Sequence, residues 1–179
     1  MGEARRLAAV LLGRLGGGRW WHTAGVAAVA ERIAGAVPPT DRPLLTVAAW
    51  LHDIGYSPGA RDTGFHPLDG ARLLRRLGWP ERLCALMAHH SGARFQARVL
   101  GLSRALAAYP FERSPVSDAL AYADQTVGPH GEPMPIGERI EEALRRHGPG
   151  SVLALAHPGR GAYLLAAAAR VERLLPVPA

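Results

Sequence analysis

The chain has 179 residues, the size of one compact domain at roughly 150 residues per domain. Hydrophobic residues make up 48% of it and charged residues 20%, an ordinary globular composition that excludes a disordered tail, a collagen-like fibre and a coiled coil. Cys84 is the single cysteine, which excludes a disulfide framework and a cysteine-based zinc cluster. No uncharged apolar run approaches the ~20 residues that cross a bilayer. We therefore expect one soluble cytoplasmic domain that does not bind membranes.

The formal net charge of +6 raises the question of nucleic-acid binding. All the basic residues are arginines, and they are scattered along the whole chain instead of forming a basic patch. This distribution argues against nucleic acid as the main partner. It would still attract small anionic substrates such as phosphate esters.

Apolar residues recur with a helical period through the first half of the chain. The segment from Leu7 to Gly13 predicts an amphipathic helix, since no convincing signal-peptide cleavage site follows it. The next helix has an apolar face formed by His22, Val26, Val29 and Ile33, and Pro38-Pro39 stops it. Thr40 or Asp41 is the predicted N-cap of a third helix, which ends near Leu51.

The second half is also predicted to be helical. After a loop of about ten residues from Gly55 to Gly64, two helices begin near Pro67 and Pro80. Further helices are expected over 93–108, 115–126, 136–147 and 151–174, the last one broken at Pro158-Gly159. The segment from Val127 to Pro135 predicts a turn or small hairpin. No alternating strand pattern occurs, so we predict one all-α domain over 1–179, a helical bundle whose C-terminal helices, 136–174, pack on the core.

Histidines and aspartates lie at the helix ends and on the apolar faces. The candidates for a shared site are His22, His52, Asp53, His66, His90 and Asp124. Imidazole nitrogens and carboxylate oxygens are ligands of first-row divalent metals, and a carboxylate on an apolar face is costly unless it is paired, hydrogen-bonded or metal-bound. Taken singly, His22 could be a hydrogen-bonded core residue, and Asp53 or His66 could cap a loop or helix. His130, His147 and His157 lie in polar or turn contexts, where a surface role is expected.

The order and spacing of these residues resemble the HD domain superfamily of metal-dependent phosphohydrolases. The resemblance is carried by His22, by His52-Asp53 within LLTVAAWLHDIGY, and by Asp124 within DALAYADQT, and it covers about residues 18–128. The segments FHPLDGARLL and LMAHHSGA are similar to those of HD proteins that hold two metals. The chain looks like a small stand-alone bacterial HD protein.

The resemblance implies one or two divalent metals, with manganese, iron, magnesium, cobalt and nickel all accepted in the family. It implies a first metal bound by His22, His52, Asp53 and Asp124, and a second bound by Asp53, His66 and His90. We prefer His90 to its neighbour His89 because His90 stays in helical phase with Leu83 and Met87. His89 would then contact substrate or support a ligand.

The implied activity is hydrolysis of a phosphomonoester or phosphodiester of a nucleotide or similar small metabolite, with His52 and Asp53 at the centre of the chemistry. Arg61 and Arg94 are candidate phosphate contacts, although each is equally well explained as a surface arginine. Many HD proteins have a lysine immediately after HDxG, whereas this chain has Tyr56, which carries no positive charge at neutral pH. Two alternatives stay open: an HD-type diiron oxygenase, and a non-catalytic module that retains metal and binds a ligand.

Overall fold

The computed structural model describes residues 2–13, 15 and 17–176; the predicted domain limits at 1 and 179 lie outside them. The α-helices are α1 (Gly2–Leu12), α2 (Gly18–Arg32), α3 (Arg42–Leu51), α4 (His66–Arg76), α5 (Glu81–His89), α6 (Ala93–Val99), α7 (Ser103–Leu106), α8 (Pro115–Gln125), α9 (Ile136–His147) and α10 (Val152–Glu172). In these residues the β-structure is a single antiparallel bridge between Val127 and Pro133, inside the predicted turn or hairpin. The predicted all-α fold is confirmed.

Three predicted helix boundaries were wrong. The helix expected to continue to Pro38-Pro39 ends at Arg32. The helix expected over 93–108 is divided into α6 and α7, because Gly101 takes a left-handed conformation with φ of 71°. The amide of Leu102 then bonds back to the carbonyl of Ala97 at 2.8 Å, a glycine-dependent way of ending a helix. The break expected at Pro158-Gly159 is absent, and α10 runs through Pro158. Packing of α10 against α6, α8 and α9 outweighs the loss of one backbone donor.

The main hydrophobic core joins residues of α1 to α8 and, from α10, Val171. A smaller apolar cluster formed by Ala121, Ile140, Leu164 and Ala167 joins α8 to α9 and α10. The helix α8 therefore contributes to both clusters, and its buried Asp124 lies near its C-terminal end. Among the described residues, no helix combines the length and apolarity needed to cross a membrane.

Candidate metal centre

Six side chains from five parts of the fold meet on one side of the core. They are His22 of α2, His52 and Asp53 at the end of α3, His66 at the start of α4, His90 just after α5, and Asp124 of α8. All of them are buried except His66, whose side chain is 19% exposed. The structure therefore brings together every residue that the sequence proposes as a metal ligand.

The first group consists of His22, His52 and Asp124, whose ligand atoms all lie within 4.8 Å of one another. The Nε2 atom of His22 is 3.0 Å from Oδ1 of Asp124, and Nε2 of His52 is 3.8 Å from the same oxygen. The second group, Asp53, His66 and His90, meets the same distance limit. In this group Nε2 of His66 lies 3.2 Å from Nε2 of His90.

Asp53 lies between the two groups and presents one carboxylate oxygen to each. Its Oδ2 is 3.4 Å from Nε2 of His52 and 3.8 Å from Nε2 of His22. Its Oδ1 is 3.5 Å from Nε2 of His66. A carboxylate in this position can bridge two ions, as the family resemblance implies for Asp53.

Backbone carbonyls orient three of the imidazoles. The Nδ1 atoms lie within hydrogen-bond distance of a carbonyl oxygen: Gly128 for His22 (3.0 Å), Ala49 for His52 (2.8 Å) and Met87 for His90 (2.6 Å). A carbonyl can only accept, so each Nδ1 donates and the neutral ring carries its lone pair on Nε2, towards the cluster. This is how metal-binding histidines are usually held.

The donor set fits a metal ion. The Nε2 atom of His52 is buried and, among the described residues, has no hydrogen-bond partner, although buried polar atoms are almost always satisfied. An ion held between this nitrogen and the neighbouring carboxylates would satisfy it.

A metal ligand must be an ionised carboxylate or a neutral imidazole, and the electrostatics favour that form at most of the six positions. Burial would raise the pKa of Asp53, but Arg19 and His52 hold it well below the usual carboxyl range. Burial lowers the pKa of His66 and of His90, so both rings are neutral at neutral pH. Burial also opposes protonation of His52, but Asp53 and Asp124 outweigh it and raise the pKa of His52 to about 9. A metal ion would have to displace that proton.

Arg19 also lies at this site, where no arginine was predicted next to Asp53. Its guanidinium donates to Oδ2 of Asp53 at 2.5 Å and lies 4.0 Å from the ring centre of Tyr56. Tyr56 in turn stacks on His66 with the ring centres 4.0 Å apart. A positive charge from α2 therefore lies beside the position where many HD proteins have a lysine. Its spacing of three residues before His22, one helical turn, was the available signal.

The structure positions His90 differently from the sequence argument. The helix α5 ends at His89, and His90 follows it with φ of −55° and ψ of 149°. Helical phase with Leu83 and Met87 is therefore not what turns the ring of His90 inward. The change of direction at the helix end does so, together with the bond to the Met87 carbonyl.

Three further candidates lie away from the two ligand groups. His89 donates from Nε2 to the carbonyl of Tyr109 at 2.8 Å and packs against Phe111. Arg94 also lies over Phe111, and it lines a separate cavity of about 670 Å³ that includes residues of α8 and α10. Arg61 is exposed in the loop before α4.

A cavity of about 350 Å³ adjoins both ligand groups. Four guanidinium groups line it, those of Arg19, Arg139, Arg146 and Arg160. Arg19 is paired with Asp53, while Arg139 and Arg146 share the carboxylate of Glu142. The arrangement can bind an anion beside the ligand cluster.

No curated protein and no solved structure gives a significant match to the chain. The family model of the HD domain matches residues 19–147. The match includes all six members of the two ligand groups and extends past the predicted limit near 128 to the end of α9. More than half of the chain is covered, and the chain therefore belongs to the HD domain family, most of whose members are metal-dependent hydrolases.

Proposed function

We propose that this protein hydrolyses a phosphomonoester or phosphodiester of a nucleotide or similar small metabolite. The observation that carries the proposal is the pair of adjacent ligand groups that share Asp53. Family membership supports a metal-dependent hydrolase.

In this proposal the first metal is held by His22, His52, Asp53 and Asp124, and the second by Asp53, His66 and His90. The ions are divalent manganese, iron, magnesium, cobalt or nickel. When bound, two such ions acidify a shared water and neutralise charge on a phosphoryl group.

The side chains around the ligands keep the site ordered for this chemistry. The carbonyls of Ala49, Met87 and Gly128 hold three imidazoles in the tautomer that binds metal. The ring of Tyr56 supports His66 by stacking. Arg19 adds a positive charge at the cavity wall, where it would favour a phosphate oxygen over a neutral group.

The cavity supports an anionic substrate of modest size. Four guanidinium groups line the cavity, against the two carboxylates of Asp53 and Asp124. The carboxylate of Glu142, which pairs with Arg139, is the third negative charge nearby. Bound divalent ions would add further positive charge. A volume of about 350 Å³ suits a small metabolite.

The test compares Asp53→Asn with the wild type in aerobic and anaerobic screens of phosphoesters and nucleotides, with metal analysis of both proteins. Asn is nearly isosteric but lacks the charge that serves both groups, so we expect hydrolysis to fall by a factor on the order of a thousand. His130→Ala, at an exposed position in the turn after α8, is the control and should keep wild-type activity.

The other outcomes separate the alternatives. Near-normal turnover by Asp53→Asn would exclude metal-bridged hydrolysis at this site. Oxygen consumption without phosphoester cleavage would favour the diiron oxygenase. Metal retention with neither activity would favour the ligand-binding module.

A further inference from the structure

Arg160 of α10 is a buried cation in the wall of the cavity. It is 6% exposed and lines the same cavity as Asp53 and Asp124. Its Nε donates to the carbonyl of Ser91 at 2.9 Å. Among the described residues, its two terminal nitrogens have no hydrogen-bond partner, and no carboxylate forms an ion pair with it. The other three arginines of the cavity all have carboxylate partners.

The terminal nitrogens of this largely buried side chain are not among the fully buried unsatisfied atoms, so they keep some solvent accessibility. An anion there would supply the charge partner that a largely buried cation favours. With Nε committed to Ser91, the terminal nitrogens are the donors that remain. They lie in the planar fork that matches phosphate and carboxylate oxygens. Arg160 is therefore prepared to receive an anion from the cavity.

Ser91 connects Arg160 to the first ligand group. It is the one described residue other than glycine with positive φ, at φ of 50° and ψ of 35°, a conformation that costs about 1–3 kcal/mol. In this conformation its hydroxyl donates to Oδ2 of Asp124 while its carbonyl accepts from Arg160. The strained residue thus places the guanidinium next to the ligand cluster.

We propose that the terminal nitrogens of Arg160 bind oxygen atoms of the same phosphoryl group that the metal ions hold. This inference rests on the proposed function and adds a substrate-binding residue to it. Arg160 lies beyond residues 19–147, the segment that the HD family model matches, so the contact comes from the C-terminal helix of this chain. The same helix approaches the cavity at its beginning, where Ser151, Val152 and Leu153 line the wall.

The test measures binding of inorganic phosphate to the manganese-loaded protein by calorimetry, for the wild type and three variants. Arg160→Gln places the amide nitrogen where Nε of the arginine is, so the bond to Ser91 can persist while the charge and the fork are lost. We expect phosphate to bind about 10- to 100-fold more weakly, the size of a lost charge-assisted hydrogen bond. Arg160→Lys keeps the charge but not the planar pair of donors, so its phosphate affinity should lie between those of the wild type and Arg160→Gln.

Arg170→Gln is the matched control, because Arg170 is on the same helix and pairs with Asp118 away from the cavity. It should bind phosphate as the wild type does. Metal content and the thermal midpoint are measured for every variant, so that a loss of phosphate affinity can be distinguished from a loss of metal or of the fold.

The results separate this inference from the proposed function. Wild-type phosphate affinity in Arg160→Gln, with hydrolysis by the wild type intact, overturns the role of Arg160 alone. Loss of metal or of the fold in Arg160→Gln, with no recovery of phosphate affinity in Arg160→Lys, also overturns it, because a purely structural role explains that result. A metal-loaded wild type that neither binds phosphate nor cleaves esters overturns both proposals.

Discussion

Gly55 lies where the turn after Asp53 meets the first turn of α4, and adding one methyl group there should damage the site. A Cβ atom at this position would lie 1.9 Å from the carbonyl oxygen of His66 and 2.7 Å from the amide nitrogen of Gly70. Ordinary contact begins at 3.4 Å, so the start of α4 would have to move by about 1.5 Å. Both obstacles are backbone atoms, which cannot rotate away as a flexible side chain can.

We therefore expect Gly55→Ala to destabilise the fold and to displace His66. Overpacking typically costs about 1–3 kcal/mol, and the backbone clash places this variant at the upper end. At about 2–4 °C per kcal/mol for a chain of this size, the thermal midpoint should fall by roughly 6–12 °C. Metal–ligand distances tolerate changes of only about 0.2 Å, so the ion that His66 would hold under the proposed function should be lost first.

The assay is thermal unfolding together with elemental analysis of bound metal. Gly59→Ala is the matched control in the same loop, because a Cβ there would meet nothing within 4 Å. It should leave both measurements close to the wild type. Unchanged stability and metal content in Gly55→Ala would contradict this prediction, since α4 would then be able to move without displacing His66 from the metal centre.

Three further predictions concern metal number, acid stability and helix α10. His66→Ala and His90→Ala should each lower bound metal from about two ions per chain towards one, and unchanged stoichiometry in both would indicate a single-metal site. Hydrogen bonding from Arg82 lowers the pKa of Asp41, so this carboxylate stabilises the fold above its unfolded-state pKa, about 3.9, and the stabilisation is lost as the pH falls through the lower folded-state value. Denaturant unfolding should show Asp41→Asn destabilised by up to about 1 kcal/mol at pH 7, and a cost that persists undiminished below pH 3 would contradict this account. Pro158→Ala should raise the thermal midpoint by several degrees, because the exposed Pro158 removes a backbone donor inside α10. An unchanged midpoint would mean that the proline ring does not destabilise α10.

The fold class and the six candidate ligands could be predicted without knowledge of the tertiary structure. Helix-period apolar faces depend on residues three and four apart, so they can be read without knowing the tertiary structure. The ligand set was readable because imidazoles and carboxylates are unusual on such faces, and because His52 and Asp53 stand together in HDIG. The ends of helices were harder to predict. The apolar period continues past Gly101, where a helix ends, and α10 continues through Pro158 because it packs against its neighbours.

The tertiary structure decided the features that depend on contacts between distant residues. Gly55 and Gly59 look alike in the loop sequence, and only the approach of α4 distinguishes them. Arg19 pairs with Asp53, 34 positions later, and Arg160 reaches the carbonyl of Ser91 across 69 positions. Arg19 had a local signal in its spacing of one turn before His22, but Arg160 had none, because its approach to the cavity depends on how the helices pack. The charged wall around the ligands is therefore a property of the assembled bundle.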